Sequence, residues 1–406
     1  MILDVKQAFV LKGQIQLPAS KSYSIRAFFV GIRGGFSGIN VSDCEDATVA
    51  KNVSQALKAG EKVFHVDESG TSLRFLLPLL PFHTSHAIIK GKGTIIGRPN
   101  HHLCETLRRQ GMDIHGTGAK ESVPIIYKGG ALKSGTIKID GTLSSQFISA
   151  LLIALAQLKN DSCLLITGKE IVSADYIVMT NQILAKAGVH IQQLSPRRYL
   201  IKGNQEFKGL KNFMVPSDYG LAAFPMAAAS LLSSNIVLKG NLKDDLIQSD
   251  GHILEFLKKM GVVFKKTKSS ISIQGPFNLK GGIFSLRNCP DLLPIMAVLA
   301  LFAKGQTKFV NVVHARVKES DRISDVRSEL LRVGADVKET STTLIITPKG
   351  FYKTDKLLDS HHDHRLAMAW TVLGMKIGCR IKGIESCRKS YPNFVKDMKL
   401  LGLRGH

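Results

Sequence analysis

The chain has 406 residues, 44% of them hydrophobic and 21% charged, so it can bury substantial cores and has the composition of an ordered globular protein. Its net charge of +23 predicts an anionic partner, although charge alone does not distinguish nucleic acid, an anionic membrane and a phosphorylated metabolite. The apolar runs are shorter than the roughly 20 residues that span a bilayer, and the six cysteines form no CxxC pair, which argues against a membrane span, a zinc ribbon and a disulfide scaffold.

The N-terminal segment MILDVKQAFVLKGQIQLP alternates polar and apolar residues, which predicts strand. It lacks the continuous apolar core of a signal peptide, so we expect a cytoplasmic protein. Two similar segments, LPAS at residues 17–20 and VPSD at residues 215–218, each place a proline just before an apolar helix. We therefore predict two similar lobes: residues 19–216, and residues 1–18 together with 217–406.

Six segments are apolar nearly all round and rich in small residues, which predicts helices enclosed on every side. They cover residues 22–32, 71–80, 145–158, 219–232, 292–303 and 366–375. Strands and a more amphipathic second helix accompany each of these inner helices. This alternation of strands and helices predicts an α/β protein.

A second pattern, in which a helix ends at a glycine and a strand follows, recurs along the chain. The glycines are Gly60, Gly111, Gly188, Gly261, Gly334 and Gly402. Each has an apolar residue about one turn earlier and is placed where a helix C-cap adopts the left-handed conformation. The two patterns together indicate six copies of one unit, three in each lobe.

Polar residues are concentrated where the predicted inner helices begin. They are Lys21, Ser22 and Arg26; Gly70, Thr71 and Arg74; Ser144, Ser145 and Gln146; Ser217 and Asp218; Asp291; and Asp363, His364 and Arg365. The unpaired N–H groups of a helix start favour anions, and the hydroxyl and aspartate side chains could equally be N-caps. Capping does not account for Arg26 and Arg74, whose guanidinium groups are expected to need internal carboxylates or a bound anion.

The segment RVKESDRISD at residues 316–325 is also densely charged. It is suited to binding phosphate or carboxylate, with a carboxylate held near a cation, although a solvated helix start explains it equally well. The HHDHR cluster at residues 361–365 invites a metal site. Neighbours in sequence seldom converge on one ion, so we predict no metal there.

Eight motifs, in chain order, resemble those of the EPSP synthase family over essentially the whole chain. They are SKSYSIR, SGTSLRF, GRPNHHL, SSQF, CPDLLP, RVKESDR, DHRLAM and RKSYPNF. The resemblance implies an α/β fold of two lobes, each made of three βαβαββ units around buried helices. It also implies that the enolpyruvyl group of phosphoenolpyruvate is transferred to the 5-hydroxyl of shikimate 3-phosphate, with release of phosphate, in a cleft between two closing lobes. We expect a monomer that uses neither a cofactor nor a metal.

The resemblance assigns two sets of binding residues. For shikimate 3-phosphate it implies Ser22, Arg26, Ser144, Ser145, Gln146, Ser173, Tyr176, Asp291, His314 and Lys318. For phosphoenolpyruvate it implies Lys21, Gly70, Arg98, Gln146, Arg322, Arg365 and Lys389. Guanidinium groups suit both ligands because they donate two parallel hydrogen bonds to phosphate or carboxylate.

The implied chemistry is addition followed by elimination, which needs an acid and a base but no covalent nucleophile. By the resemblance, Asp291 removes the proton of the 5-hydroxyl. Glu319 delivers a proton to the methylene carbon of phosphoenolpyruvate and takes one back on elimination. Lys21 contacts both substrates and shares the proton transfers, and the division among these three residues stays open. His314 stands where an asparagine is common in the family, which leaves its substrate contact in doubt.

Two alternative functions are disfavoured. An enolpyruvyl transferase of the same fold acts on UDP-N-acetylglucosamine, but it carries Lys-Asn where this chain has Lys21-Ser22, and a cysteine in the loop for which this chain has GKGTIIGRP. A nucleic-acid-binding protein requires a continuous basic face with exposed aromatic residues. The positive charge of this chain is dispersed, so we expect no nucleic-acid partner and no membrane partner.

Overall fold

The computed structural model describes all 406 residues, which divide into two compact units. The continuous unit consists of Ser20–Val215. The discontinuous unit consists of Met1–Ala19 and Pro216–His406. Within the discontinuous unit, Ala19 and Ser217 from the two similar proline-containing segments pair through an isolated antiparallel bridge. The N-terminal strands therefore belong with the C-terminal half of the chain.

Twelve α-helices alternate between two kinds. They are α1 Lys21–Val30, α2 Glu45–Lys58, α3 Gly70–Leu76, α4 His101–Arg109, α5 Ser145–Leu155, α6 Asp175–Lys186, α7 Tyr219–Leu231, α8 His252–Lys259, α9 Leu293–Leu301, α10 Arg322–Arg332, α11 His364–Ile377 and α12 Phe394–Leu401. The odd-numbered helices are the predicted inner ones, and α7 and α9 are buried along their whole length. The even-numbered helices keep an exposed face. No helix combines the length and the hydropathy needed to cross a membrane.

The strands are short and form six separate sheets. They are β1 Ile2–Lys6, β2 Val10–Gln16, β3 Phe36–Ile39, β4 Val63–His65, β5 Ala87–Lys90, β6 Met112–Thr117, β7 Ser122–Gly130, β8 Gly135–Asp140, β9 Ser162–Thr167, β10 Ile191–Ser195, β11 Arg198–Ile201, β12 Leu210–Met214, β13 Ser233–Lys239, β14 Phe264–Lys266, β15 Ser270–Ile273, β16 Ile283–Ser285, β17 Thr307–Val310, β18 Asp336–Glu339, β19 Leu344–Thr347, β20 Leu357–Asp359, β21 Cys379–Lys382 and β22 Arg404–Gly405. The continuous unit has sheets in the order β4-β5-β7-β6, β10-β11-β9-β8 and β12-β3. The discontinuous unit has β20-β21-β1-β22, β14-β15-β13-β2 and β16-β17-β19-β18.

One of the six sheets departs from the expected equal units. It contains only β3 and β12, which pair in parallel, whereas each of the other five has four strands. After α1 the chain contributes one strand, β3, before it enters α2. The backbones of Gly34 and Gly209 approach each other so closely here that a side chain at either position would overlap the other residue. The segment around α1 therefore builds a smaller sheet than its five counterparts.

The sequence predicted some helix ends correctly and one incorrectly. All six glycines predicted at helix C-termini have positive φ, from 75° at Gly60 to 121° at Gly402, as a left-handed C-cap requires. The predicted helix over residues 71–80 is wrong at its end, because α3 ends at Leu76 and a 3₁₀ helix, Leu77–Phe82, follows. Pro78 and Pro81 lack the N–H groups that would continue the α-helix.

Candidate active site

In the continuous unit, a group of polar side chains lies near the N-terminal ends of α1, α3 and α5. We call it the basic cluster; it consists of Lys21, Arg26, Arg74, Arg98 and Gln146. The guanidinium group of Arg26 lies 5.4 Å from the centre of the Phe75 ring, and that of Arg74 lies 5.1 Å from the centre of the Phe147 ring. The starts of α3 and α5 are joined directly, because Gln146 Nε2 donates to Thr71 Oγ1 at 2.9 Å, and the ring contacts show that α1 packs against α3 further along both helices.

Arg26 is 2% exposed and is held by neutral groups. Its Nε donates to Thr180 Oγ1 at 2.9 Å, and its terminal nitrogens donate to the carbonyl oxygens of Ser22 at 3.0 Å and Tyr176 at 3.1 Å. Burial lowers the pKa of Arg26 to about 10, so the side chain remains charged at neutral pH. Carbonyl and hydroxyl oxygens and the rings of Phe75 and Tyr176 surround this guanidinium, so no internal carboxylate satisfies it, and the alternative of a bound anion stays a prediction.

Arg74 joins the second and third inner helices through Gln146. Its Nη1 donates to Gln146 Oε1 at 2.6 Å, and Gln146 Nε2 donates to Thr71 Oγ1 at 2.9 Å. Its other nitrogens donate to Asn100 Oδ1 at 3.2 Å and to the carbonyl oxygen of Pro99 at 3.1 Å. These contacts orient the amide of Gln146. Arg74 is not itself a predicted binding residue, but it positions one, Gln146.

Arg98 and Gly70 are brought together as predicted for a phosphoenolpyruvate site. A Cβ atom at residue 70 would lie 3.1 Å from Arg98 Cζ, closer than most side-chain contacts in proteins. The absence of a side chain at Gly70 therefore makes room for the Arg98 guanidinium, which is itself 7% exposed. Glycine is required here by close approach, since its φ is not in the left-handed region.

Lys21, the first residue of α1, forms an ion pair with Asp46 at 2.8 Å. Asp46 lies in the first turn of α2 and was not among the predicted site residues. Ser145 is buried at the start of α5, while Ser144 is its N-cap and accepts a hydrogen bond from the backbone of Gln146 at 3.3 Å. Capping therefore explains part of the role of Ser144.

Ser173 lies just before α6, and Tyr176 is the second residue of that helix. Ser173 is buried and has a φ of 53°, which is uncommon for a residue other than glycine. The carbonyl oxygen of Tyr176 accepts from Arg26, and its ring lies 5.6 Å from the guanidinium. Tyr176 thus lies beside the basic cluster, and the carbonyl oxygen of Ser173 accepts a hydrogen bond from the backbone N–H of Tyr176 at 3.1 Å.

In the discontinuous unit, charged side chains from the first turns of α10 and α11 and from the segments before α8, α9, α10, α11 and α12 form a second group. We call it the mixed cluster; it consists of Asp250, Asp291, Lys318, Glu319, Arg322, Asp363, Arg365 and Lys389. It contains four carboxylates and four cations, so its charges are balanced. The structure brings together all the predicted site residues of this unit except His314 by direct contacts among cluster members or their neighbours.

Arg322, the first residue of α10, is completely buried at the centre of the mixed cluster. Its Nη1 donates to Asp291 at 2.6 Å and its Nη2 donates to Glu319 at 2.9 Å, while its Nε donates to Asp363 at 2.7 Å. Burial alone would lower the pKa of Arg322, but the three carboxylates outweigh burial and hold it well above its usual value. One guanidinium therefore fixes both carboxylates that the sequence predicted to be catalytic.

Asp291 also faces two further cations. Its Oδ1 lies 3.2 Å from Lys318 Nζ, and its Oδ2 lies 3.7 Å from Arg365 Nη2. A carboxylate surrounded by three cations can lie beside a negatively charged ligand, because the cations offset the charge of the carboxylate and that of the ligand. This arrangement can hold an acid or base next to a phosphate.

Arg365 is anchored by two groups that sequence reasoning did not identify. Its Nη1 donates to the carbonyl oxygen of Gly220 at 2.7 Å, and its Nη2 donates to Asp250 at 3.2 Å. Burial raises the pKa of Asp250 to about 7, against the opposing effect of Arg365. A side chain at Gly220 would overlap Asp250, so the glycine is needed for this contact.

His314 and Lys389 lie at the edge of the mixed cluster. His314 is 4% exposed, and its burial, together with Lys318, lowers the pKa to about 3, so the ring is neutral at neutral pH. Lys389 is 7% exposed and donates to the carbonyl oxygen of His362 at 2.9 Å. His314 therefore lies near Lys318 without an ion pair to it, whereas Lys389 is held by a hydrogen bond.

Residues missed at the sequence level are mostly partners of the predicted ones. They are Asp46, Thr180, Gly220, Asp250 and, as a ligand of Arg322, Asp363. Asp363 did stand out as a helix start, and it is the N-cap of α11, accepting from the backbone of Arg365 at 2.8 Å. The others carry no local signal, since their partners are distant in sequence.

Comparisons with known proteins agree over nearly the whole chain. A family model described as EPSP synthase (3-phosphoshikimate 1-carboxyvinyltransferase) matches residues 35–398. The 3-phosphoshikimate 1-carboxyvinyltransferase of Methanococcus vannielii is 34% identical over 428 aligned residues, covering 99% of this chain and 99% of that protein. The protein of the same name from Methanocaldococcus jannaschii is 34% identical, covering 99% of this chain and 98% of its own length. The solved structure of EPSP synthase from Acinetobacter baumannii has a TM-score of 0.79 at 25% identity, and the match covers 100% of this chain and 99% of that one.

Proposed function

The chain belongs to the EPSP synthase (3-phosphoshikimate 1-carboxyvinyltransferase) family, and on this premise we propose how its residues transfer the enolpyruvyl group of phosphoenolpyruvate to the 5-hydroxyl of shikimate 3-phosphate. The basic cluster binds anionic groups of the substrates. The mixed cluster supplies the proton transfers and further cations. The contacts described above support this division, because only the mixed cluster holds carboxylates against a shared guanidinium.

The continuous unit, which contains the basic cluster, supplies binding residues for both substrates. For shikimate 3-phosphate they are Ser22, Arg26, Ser144, Ser145, Ser173 and Tyr176; for phosphoenolpyruvate they are Lys21, Gly70 and Arg98; Gln146 serves both. The positive charge of Arg26 is held by neutral oxygens and is therefore not cancelled by its own partners. A charge of this kind attracts a phosphorylated ligand strongly in a dry site. Lys21 exchanges part of its contact with Asp46 for the substrates when they bind.

In the mixed cluster, Asp291 accepts the proton of the 5-hydroxyl group while the oxygen of that hydroxyl group attacks C2 of phosphoenolpyruvate. Glu319, in its protonated form, donates a proton to the methylene carbon, and the addition product is a tetrahedral intermediate. Glu319 then takes a proton back from the new methyl group, and the C–O bond breaks with its electron pair going to the phosphate oxygen. The proton held by Asp291 leaves with the inorganic phosphate, which restores the carboxylate. Arg322 holds both carboxylates in place throughout, and it needs no change of charge to do so.

The remaining residues bind charge that is already present on the substrates. Arg322, Arg365 and Lys389 face the phosphate and carboxylate of phosphoenolpyruvate, and Lys318 and His314 face shikimate 3-phosphate. The neutral ring of His314 provides a hydrogen bond and not an ion pair. We further propose that the enzyme acts in the cytoplasm as a monomer without a nucleic-acid partner, and sedimentation in the presence and absence of RNA tests this.

The observation that carries the proposal is the bridge from Arg322 to Asp291 and Glu319, at 2.6 Å and 2.9 Å. It is tested by measuring phosphate release from phosphoenolpyruvate with shikimate 3-phosphate or with UDP-N-acetylglucosamine as the acceptor. We expect turnover with shikimate 3-phosphate only. Glu319→Gln and Lys21→Met are expected to lower kcat roughly 100-fold or more, because each removes a proton-transfer group.

Two exposed ion pairs provide matched controls. Glu105→Gln removes a carboxylate paired with Arg109 at 3.5 Å, and Lys202→Met removes an ammonium paired with Asp161 at 2.7 Å. Both variants should keep the parental kcat, since exposed pairs contribute little. Turnover with the sugar nucleotide alone, or parental kcat in both Glu319→Gln and Lys21→Met, would contradict the proposal.

A further inference from the structure

A short loop, residues 360–363, connects β20 to α11 and has an unusual backbone. His361 and His362 have φ values of 50° and 56°, so two successive residues other than glycine adopt the left-handed conformation. This conformation costs free energy for residues with a side chain and persists where surrounding contacts impose it. The contacts that impose the left-handed backbone here therefore indicate the function of the loop.

The two ends of the loop are fixed by hydrogen bonds. The hydroxyl of Ser360 donates to the carbonyl oxygen of Gly383 at 3.1 Å. At the other end, Asp363 caps α11 and accepts from Arg322 at 2.7 Å. Between them, the backbone N–H of His361 donates to Asp359 at 2.8 Å, and the carbonyl oxygen of His362 accepts from Lys389 at 2.9 Å.

The imidazole ring of His361 ties the middle of this loop to α10. Its Nε2 lies 3.0 Å from Oε1 of Glu329, and its Nδ1 lies 3.7 Å from Asp325. Glu329 is 1% exposed, and its second oxygen accepts from the backbone N–H of Asp359 at 2.9 Å. A single buried carboxylate thus holds both the strand before the loop and the ring at its centre.

We infer that His361 and Glu329 are positioning residues for phosphoenolpyruvate binding: their contact fixes the backbone of residues 361–362 so that the carbonyl oxygen of His362 holds the ammonium group of Lys389. The inference rests on the proposed role of Lys389 in binding phosphoenolpyruvate. Neither His361 nor Glu329 belongs to the predicted ligand set or to the mixed cluster. They act through the loop, and the position of the carbonyl oxygen of His362 depends on them.

The charges around His361 give the contact a pH dependence. The hydrogen bond with Glu329 raises the pKa of His361 above its usual value, burial opposes this, and Asp325 and Asp359 act in the same direction as Glu329. Two of these carboxylates are also paired with cations: Arg332 Nε lies 3.4 Å from Glu329, and Lys382 Nζ lies 3.0 Å from Asp359. The protonated ring is therefore stabilised below the usual pKa of about 6.5, and this stabilisation is lost as the pH rises through the higher pKa of the folded protein.

Two substitutions separate the ring contact from the backbone conformation. His361→Gln removes the titrating group and keeps a long polar side chain. His361→Asn places a residue that tolerates positive φ but is too short to reach Glu329. His115→Gln is the matched control, because it removes an exposed histidine that lies 3.0 Å from Asp113 in the continuous unit. All variants are compared with the parent enzyme by steady-state kinetics and by thermal unfolding.

At about pH 6, where the ring of the parent is protonated, both His361 variants should raise KM for phosphoenolpyruvate roughly five- to tenfold, as expected for the loss of one charge-assisted hydrogen bond. KM for shikimate 3-phosphate should stay at the parental value, and the control should match the parent in both. As the pH is raised to about 9, the ratio of variant to parent KM for phosphoenolpyruvate should fall towards one. A general loss of structure would raise both KM values and would leave no such pH dependence.

The variant Lys389→Met distinguishes failure of this inference from failure of the proposed function. If Lys389→Met raises KM for phosphoenolpyruvate while both His361 variants match the parent at about pH 6, the positioning role of His361 is wrong and the proposed function stands. If Lys389→Met leaves that KM unchanged, the proposed role of Lys389 is wrong and the inference fails with it. Equal increases in both KM values in the His361 variants, or a ratio independent of pH, also overturn the inference.

Discussion

The basic cluster and the mixed cluster both consist of side chains on helices or in the segments before them, yet they stabilise buried cations in different ways. Arg26 is held by a hydroxyl, two carbonyl oxygens and aromatic rings, whereas Arg322 is held by three carboxylates. Burial lowers the pKa of Arg26, while the carboxylates raise that of Arg322 despite its burial.

Neutral acceptors satisfy hydrogen-bond donors without cancelling charge. The basic cluster therefore keeps positive charge that an anionic ligand can offset, and the mixed cluster is close to neutral before any ligand binds. This comparison indicates a division of work between binding anions and holding the groups that transfer protons. The following substitutions test it, from the largest expected effect to the smallest.

The largest effect is expected from Arg322→Met, which leaves Asp291, Glu319 and Asp363 without their shared cation. We expect the free energy of unfolding to fall by about 3–5 kcal/mol, as for other buried ion pairs that lose one partner. The chain has one tryptophan, Trp370, and it is buried in the discontinuous unit, so its fluorescence during urea unfolding reports on this unit. Arg109→Met removes an exposed pair and should change stability by less than about 1 kcal/mol. Similar unfolding midpoints for the two variants would contradict the assigned role of Arg322.

Gly220→Ala should have the next largest effect, because the new methyl group would overlap Asp250 and lie 2.9 Å from Arg365 Nη1. We expect a loss of about 1–3 kcal/mol, the usual cost of overpacking, together with a higher KM for phosphoenolpyruvate. Gly251→Ala is the control, since its nearest new contact is Tyr219 at 3.7 Å. Trp370 fluorescence and steady-state kinetics measure both effects, and parental values for Gly220→Ala would show that this close approach does not position Arg365.

Arg26→Met should destabilise the protein less than Arg322→Met, because only neutral groups lose their partner. Methionine can occupy the space between Phe75 and Tyr176, so we expect a loss of about 1–2 kcal/mol. Circular dichroism during urea unfolding measures it, and the midpoint of Trp370 fluorescence should not change. KM for shikimate 3-phosphate should rise even though stability changes little. A loss as large as that in Arg322→Met would mean that the two clusters hold their cations at equal energetic cost.

The smallest effect is expected from inorganic phosphate in the absence of substrates. Millimolar phosphate should raise Tm by roughly 1–2 °C, because a weak ligand of the folded state stabilises it only slightly. Arg98→Met should abolish most of this shift, since it removes a cation of the basic cluster. Asp250→Asn, in the mixed cluster, should retain it. Differential scanning fluorimetry measures the shifts, and the opposite pattern would place the excess positive charge in the mixed cluster.

Much of the fold could be predicted because its signals are local. The six glycines at helix ends have the positive φ that their neighbours indicated, and the apolar helices are buried as their composition required. The end of α3 was missed although Pro78 marks it, since the apolar pattern continues beyond it. The two-stranded sheet of β3 and β12 was also missed, because the close approach of Gly34 and Gly209 joins segments far apart in the chain.

The candidate site was predictable in its members but not in their partners. Lys21, Arg98, Asp291 and Glu319 lie in motifs that can be read directly from the sequence. Nothing near Arg26 in sequence indicates that Thr180 accepts its hydrogen bond, and nothing near Lys21 singles out Asp46. The sequence argument offered internal carboxylates or a bound anion as partners of Arg26, and it did not foresee the carbonyl groups and aromatic rings that other helices supply.

The sequence by itself determined the helix boundaries marked by glycine, the six repeated units and the residue types that gather at helix starts. These features depend on backbone conformation and hydrophobic pattern within a few residues. Only the tertiary structure decided which buried cation has its charge offset by carboxylates and which is held by neutral groups, and which loop holds Lys389. Those outcomes depend on distances between groups that are remote in sequence, and electrostatic and hydrogen-bond energies are set by distance and burial.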